Sequence, residues 1–176
     1  MIGQIDNLPG VSIRSSTPDD AEGIWNCLAA VARERRYLSM VEPPSLEEVR
    51  HFSSSELVIQ FVALAGALVV GWCDVARKPR HGFRHSAALG MGLLSAYRGR
   101  GIGSALLRSV VHEARSRGVS RIELEVYPSN KPAVALYQRF GFAYEGTKKA
   151  ARVLDGKAED ITCMALLLPP LGGTLP

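Results

Sequence analysis

Cysteine is scarce in this chain. The three present, Cys27, Cys73 and Cys163, are an odd number at spacings that match no zinc pattern. Neither a disulfide framework nor a structural zinc finds support, and reduced core thiols in the cytoplasm are expected. The four histidines, His51, His81, His85 and His112, are too dispersed for a metal site, so no metal is expected. Aromatics make up only 7% of the 176 residues and do not interleave with the scattered basic residues, which argues against nucleic acid. The one stretch apolar enough to suggest a bilayer, 57–75, is broken by Gln60 and Asp74. Ala65-Gly66 near its centre reads as a turn between two buried strands. No basic region precedes an apolar core at the N-terminus, so neither a signal peptide nor a membrane partner is expected. Internal repeats and low-complexity runs are also missing.

What remains is an ordinary globular composition, 47% hydrophobic and 22% charged. It suits a single domain over 1–176 with its core at about 11–168 and short flexible ends. The net charge of +4 fits either a solvated basic surface or attraction for an anionic ligand.

Periodicity orders the elements. Val11–Ser15 alternates as a first strand. Thr17-Pro18-Asp19-Asp20 suits a helix start, with Thr17 as cap and the aspartates complementing the dipole. Ile24, Trp25, Leu28 and Val31 give that helix an apolar face. Arg33–Pro44 reads as a loop, and Ser45-Leu46-Glu47-Glu48 as a capping box opening a second helix. Leu57–Leu64, Ala67–Val75 and Ser86–Leu94 are apolar strands. From Ile102 the spacing turns helical, with Leu106, Leu107, Val110 and Ala114 on one stripe and Gly118 at the end. Arg121–Val126 alternates as a strand, and Lys131–Phe140 is a short helix closed by Gly141. Phe142–Thr147 and Ile161–Leu168 close the chain as strands, with an Asp155-Gly156 turn signal between them. This order predicts an α/β fold, a mixed central β-sheet with helices on both faces.

The informative run is Leu93–Leu107, LLSAYRGRGIGSALL, which sets glycines and arginines between an apolar strand and an amphipathic helix. A helix start leaves its first N–H groups unpaired, and these suit a pyrophosphate. Gly101 and Gly103 let backbone approach phosphate, and Arg98 and Arg100 add positive charge. The glycines are spaced G-x-G-x-G, not as a dinucleotide fingerprint, and no G-x-x-x-x-G-K-[ST] loop is present.

Arg98-Gly99-Arg100-Gly101-Ile102-Gly103 resembles the [QR]-x-x-G-x-[GA] acetyl-CoA loop of the GNAT superfamily of N-acetyltransferases. Glu123–Phe142 is similar to the second block of that family, with Asn130, Ala133, Tyr137 and Phe140-Gly141-Phe142 in the expected places. The resemblance extends over about residues 11–168. His85–Leu94 with Tyr144–Thr147, Asp160 and Met164 resembles members that acetylate amino acids, polyamines or similar amines. Leu38–Arg50 resembles the substrate-side loop of phosphinothricin-type acetyltransferases.

The resemblance implies transfer of an acetyl group from acetyl-CoA to a primary amine of a small molecule, by direct attack. Met91, Gly92 and Leu93 would lie along the pantetheine arm, with Arg98, Gly99, Arg100, Gly101, Ile102 and Gly103 at the pyrophosphate. Asn130 and Ala133 would complete the cofactor side. Tyr137 would donate a proton to the leaving thiolate, since a phenol holds its proton up to a pH of about 10. Some family members place a Glu on the strand before the cofactor loop, but Ser86-Ala87-Ala88-Leu89 has no carboxylate. Glu42, Glu123, Glu125, His85 or a water chain therefore remain open as the base. Acetylation of a protein or peptide N-terminus and a non-catalytic acyl-CoA-binding module are the alternatives. Arg33–Pro44 and Lys149–Glu159 are the loops expected to separate them, and a homodimer through closing strands such as Ile161–Leu168 is expected.

Overall fold

The computed structural model describes residues 9–169. The segments at either end, read from sequence as an unpatterned leader and a Pro/Gly tail, fall largely outside the described residues. Seven strands form one sheet in the order β1-β2-β3-β4-β5-β7-β6. They are β1 Ser12–Ser15, β2 Val58–Ala65, β3 Leu68–Arg77, β4 Ser86–Leu93, β5 Arg121–Val126, β6 Ala143–Leu154 and β7 Lys157–Leu167. The β4–β5 pair is parallel and every other pair is antiparallel. The helices are α1 Ala21–Arg33, α2 Leu46–Ser53, α3 Ile102–Ser116 and α4 Lys131–Arg139. The expected mixed α/β architecture is the one found.

Each helix covers the face its apolar stripe requires. Ile24, Cys27 and Val31 of α1, with Val49 of α2, pack on Val62, Val69 and Trp72. On the other face, Leu106, Leu107 and Val110 of α3 and Tyr137 of α4 join Ile59, Val70, Cys73, Val75 and Ile122. Leu106 and Leu107 are fully buried, and such side chains contribute about 1.5–3 kcal/mol each. The apolar run 57–75 forms the β2–β3 hairpin turning at Gly66, which has a φ of 61°. Among the described residues no helix is long and apolar enough to cross a membrane.

Two local readings need correction. Thr17 does not cap α1 directly, because a short 3-10 turn, Pro18–Asp20, intervenes. Asp20 takes the Thr17 N–H at 2.7 Å and a two-pronged bond from Arg14 at 2.7 and 2.8 Å. The Arg14 guanidinium holds the Asp20 carboxyl below its ordinary range. The closing strands are also much longer than the alternation suggested. They continue to the Asp155-Gly156 turn, so Lys149–Glu159 is a hairpin rather than a loop. Its outer half carries charge on both faces, and a register shift at Lys148–Arg152 disrupts any period-two signal. β7 is paired on both edges, by β5 and by β6. The free edge on this side belongs to β6, not to Ile161–Leu168.

Candidate active site

The site begins where the sheet opens. β4 and β5 pair only at Ser86–Ala88 against Arg121–Glu123. Beyond Ala88 they diverge, while β4 stays bonded to β3 through Leu93 and β5 to β7 through Val126. The inner edges of Leu89–Leu93 and Leu124–Val126 therefore have no strand partner in the gap. A cavity of about 1420 Å³ occupies this divergence and continues beneath α1 and α2. Met91, Gly92 and Leu93 all line it. Glycine is required at 92, because a Cβ there would stand 2.3 Å from the ring of Trp72. Trp72 is buried. Gly92→Ala is expected to cost about 1–3 kcal/mol by overpacking, read from urea unfolding followed by tryptophan fluorescence. An unchanged midpoint would show that the ring repacks freely.

The N-terminus of α3 enters the same cavity. Gly101 is its cap with φ 83°, and Gly99 has φ 72°. The first helical bond runs from the Ala105 N–H to the Gly101 carbonyl. Among the described residues the amides of Gly99 through Ser104 have no hydrogen-bond partner. Orphan amides at a helix start are an anion site. Gly99, Gly101, Gly103 and Ser104 line the cavity, whereas the Ile102 side chain is core. Arg100 is exposed, with its guanidinium over the Tyr97 ring. Arg98 differs from its sequence reading as free positive charge. Its guanidinium bonds Glu34 at 2.6 and 2.8 Å and the Leu93 carbonyl at 3.0 Å, and stacks on Tyr37. It ties the end of α1 to the end of β4, and its charge is largely met within the protein.

α4 supplies the far wall. Asn130 caps it, its side chain accepting from the Ala133 N–H at 3.4 Å. Asn130, Ala133 and Tyr137 line the cavity. Tyr137 is buried against Phe142, with ring centroids 5.6 Å apart. Burial, reinforced by Cys73, pushes its phenol above the ordinary value, so it stays protonated through neutral pH. The donor set fits an acyl-CoA: unpaired strand edge for an extended arm, unpaired amides for phosphate, and a protonated phenol deep between them.

The half of the cavity beneath α1 and α2 is apolar, with Ile24, Leu28, Val49, Phe52 and Trp72 on its walls. On its sheet side it carries two polar groups, Gln60 on β2 and Asp74 on β3, both 7% exposed. Burial pushes the Asp74 carboxyl up to about 7, against hydrogen bonds from Gln60 and Trp72 that act the other way. The sequence treated these residues only as breaks in an apolar run. The signal available was that they fall opposite each other across the hairpin. The proposed base Glu42 is not brought to the cavity. It is exposed and faces Arg33 at 3.5 Å, although its loop neighbours Leu38, Met40 and Pro44 line the cavity. His85 is exposed and lies outside the cavity too. Glu123 and Glu125 reach the rim but are ion-paired, Glu123 with Lys78 and Arg121, Glu125 with Lys148. Among the described residues no three His, Cys, Asp or Glu side chains gather to hold a metal.

Residues 27–142 match the profile of the Acetyltransferase (GNAT) family, and the chain belongs to that family. It is 37% identical over 109 residues to the L-amino acid N-acetyltransferase AaaT of Escherichia coli K12, covering 60% of this chain and 66% of that one. It is 48% identical over 52 residues to the mycothiol acetyltransferase of Corynebacterium glutamicum, covering 30% of this chain and 18% of that one. The chain thus spans less than two thirds of either relative. The solved structure of a GNAT-family acetyltransferase from Streptococcus pneumoniae superposes with a TM-score of 0.83 at 28% identity, over 90% of this chain and 99% of that one.

Proposed function

We propose that this protein transfers the acetyl group of acetyl-CoA to the primary amine of a small molecule. The observation that carries the reading is the opened β4–β5 gap with the unpaired amides of α3 at its mouth. The acyl arm would add to the inner edge of β4 as an extra strand, and the pyrophosphate would meet the amides of Gly99–Ser104. Tyr137 lines the gap between them, where a protonated phenol can reprotonate a departing thiolate.

A small acceptor is favoured over a peptide by contacts that tie the loop after α1 to the β6–β7 hairpin. Arg35 bonds Asp155 of the β6–β7 turn at 2.8 and 3.0 Å, and Arg152 bonds the Arg35 carbonyl at 3.3 Å. These contacts join the two segments expected to discriminate. The exposed pair contributes only about 0–1 kcal/mol; its use is to hold position. The free edge of β6 is where a second copy would pair. Three unbridged cysteines fit the reducing cytoplasm.

The test is a panel of primary amines incubated with acetyl-CoA and read as free thiol release, beside calorimetric binding of acetyl-CoA. Amine-dependent thiol release is expected. Tight binding with no release for any amine would identify a non-catalytic acyl-CoA-binding module instead.

A further inference from the structure

Asp74 and Gln60 form a built polar pair in an otherwise apolar half-cavity, and nothing described so far uses it. Asp74 stands on β3 opposite Gln60 of β2 on one side and Gly90 of β4 on the other. Gly90 belongs to the reach of β4 that has parted from β5. The absence of a side chain there matters, since a Cβ at 90 would lie 3.2 Å from an Asp74 carboxylate oxygen. The carboxylate thus sits directly beside the arm of the gap, next to the strand whose residues Ala87 and Ala88 supply no acid. Gln60 stands beside Asp74 across the β2–β3 pair. Its own carbonyl oxygen, Oε1, is buried and has no partner among the described residues. Both residues line the cavity.

We propose that Asp74 and Gln60 receive the ammonium group of the acceptor, and that Asp74 is the base that removes its proton. Both residues line a cavity whose walls include Ile24, Leu28, Val49, Phe52 and Trp72. That chemistry selects a primary amine with an apolar substituent. The acceptor ammonium gives one proton to the Asp74 carboxylate. The nitrogen lone pair then forms the C–N bond at the acetyl carbon as the C–S bond breaks. Tyr137 gives its proton to the thiolate and regains one from the nitrogen, and Asp74 passes its proton to water. The inference rests on the acetyl-transfer reading above.

The surroundings leave Asp74 free to cycle near neutrality. The groups that bond or crowd it, Gln60, Trp72 and Gly90, carry no charge, and the α1 residues on this cavity wall are apolar. From α2, Glu48 lines the same cavity but is engaged by Ser45 at the helix start. Cys73 lies on the opposite face of the strand, in the other core. Burial carries the carboxyl to about 7. It is therefore ionised and able to accept a proton above that pH, and protonated and idle below it.

The experiment compares the wild type with Asp74→Asn, using two apolar primary amines of different basicity. In the wild type, kcat/KM should rise on the acid side with a limb near pH 7 that is the same for both amines. In Asp74→Asn that limb should vanish and follow each amine's own ionisation. At pH 7 the variant should lose about 10²–10⁴-fold in kcat/KM, with calorimetric acetyl-CoA affinity unchanged. A variant with the wild-type profile, or a wild-type limb that tracks the amine, overturns the assignment. Direct titration of the wild-type Asp74 carboxyl by carbon NMR needs no variant. A midpoint near the ordinary value of about 4 also overturns it. Failure of the wild type to bind acetyl-CoA would instead overturn the acetyl-transfer reading, and this assignment with it.

Discussion

Calorimetry on Gly101→Glu is expected to find acetyl-CoA affinity reduced by about 100-fold or more. Gly101 holds the left-handed φ of 83° that starts α3. A side chain such as glutamate is strained there by about 1–2 kcal/mol, so the first turn moves and its amides lose their aim. Hydrogen bonds to a charged group contribute about 1.5–3 kcal/mol each, so misaligning two of them accounts for the loss. The added carboxylate then repels the phosphates at close range. Gly101→Asn separates the two effects, because asparagine tolerates this backbone region and brings no charge. It should keep most of the affinity. A folded Gly101→Glu protein that binds acetyl-CoA as the wild type does would show that the phosphates lie elsewhere.

Tyr137→Phe should lower kcat by about 10²–10⁴-fold while acetyl-CoA affinity changes little. The ring packs on Phe142, and the substitution preserves that contact. Among the described residues the hydroxyl makes no hydrogen bond whose loss would destabilise the fold. Only the hydroxyl is removed. Pre-steady-state thiol release measures the chemical step directly. A wild-type rate there would make Tyr137 a packing residue and leave water to protonate the thiolate.

How much of this was legible in the sequence depended on whether a residue's role was local. The helix starts and apolar stripes of α1, α2 and α3 were readable because a stripe at helical spacing can be buried on only one side. Ser45 and Glu48 form the capping box that their spacing announced, with bonds of 2.7 and 3.2 Å. The β6–β7 hairpin was cut short because its outer half is held by ion pairs such as Lys149–Asp160 and Arg152–Glu159, which leave no hydrophobic period. The glycines of the α3 loop were legible because their need is a backbone need. Arg98 was half legible: its place at the loop was clear, but its partner Glu34 is 64 residues away and nothing local marks it. Glu42 was chosen as a carboxylate in a suitable loop, and sequence cannot say which way a loop side chain faces. Asp74 was passed over for the converse reason, since a carboxylate inside an apolar strand reads as an interruption until the third dimension gives it a cavity.

The two hydrophobic clusters on opposite faces of the sheet have a mechanical consequence. Among the described residues Leu94 is the one hydrophobic side chain packed against both. Within the acceptor-side cluster α2 is the weakest member, with Val49 as its only buried residue. Regions with few buried contacts open at lower free energy than the molecule as a whole. The molecule therefore breathes unevenly. Native-state hydrogen exchange should find the amides of α2 released well before those of α3, whose Leu106, Leu107 and Val110 are fully buried. The α2 side can then open locally as one cooperative unit, while the other, which carries the glycine loop, stays folded.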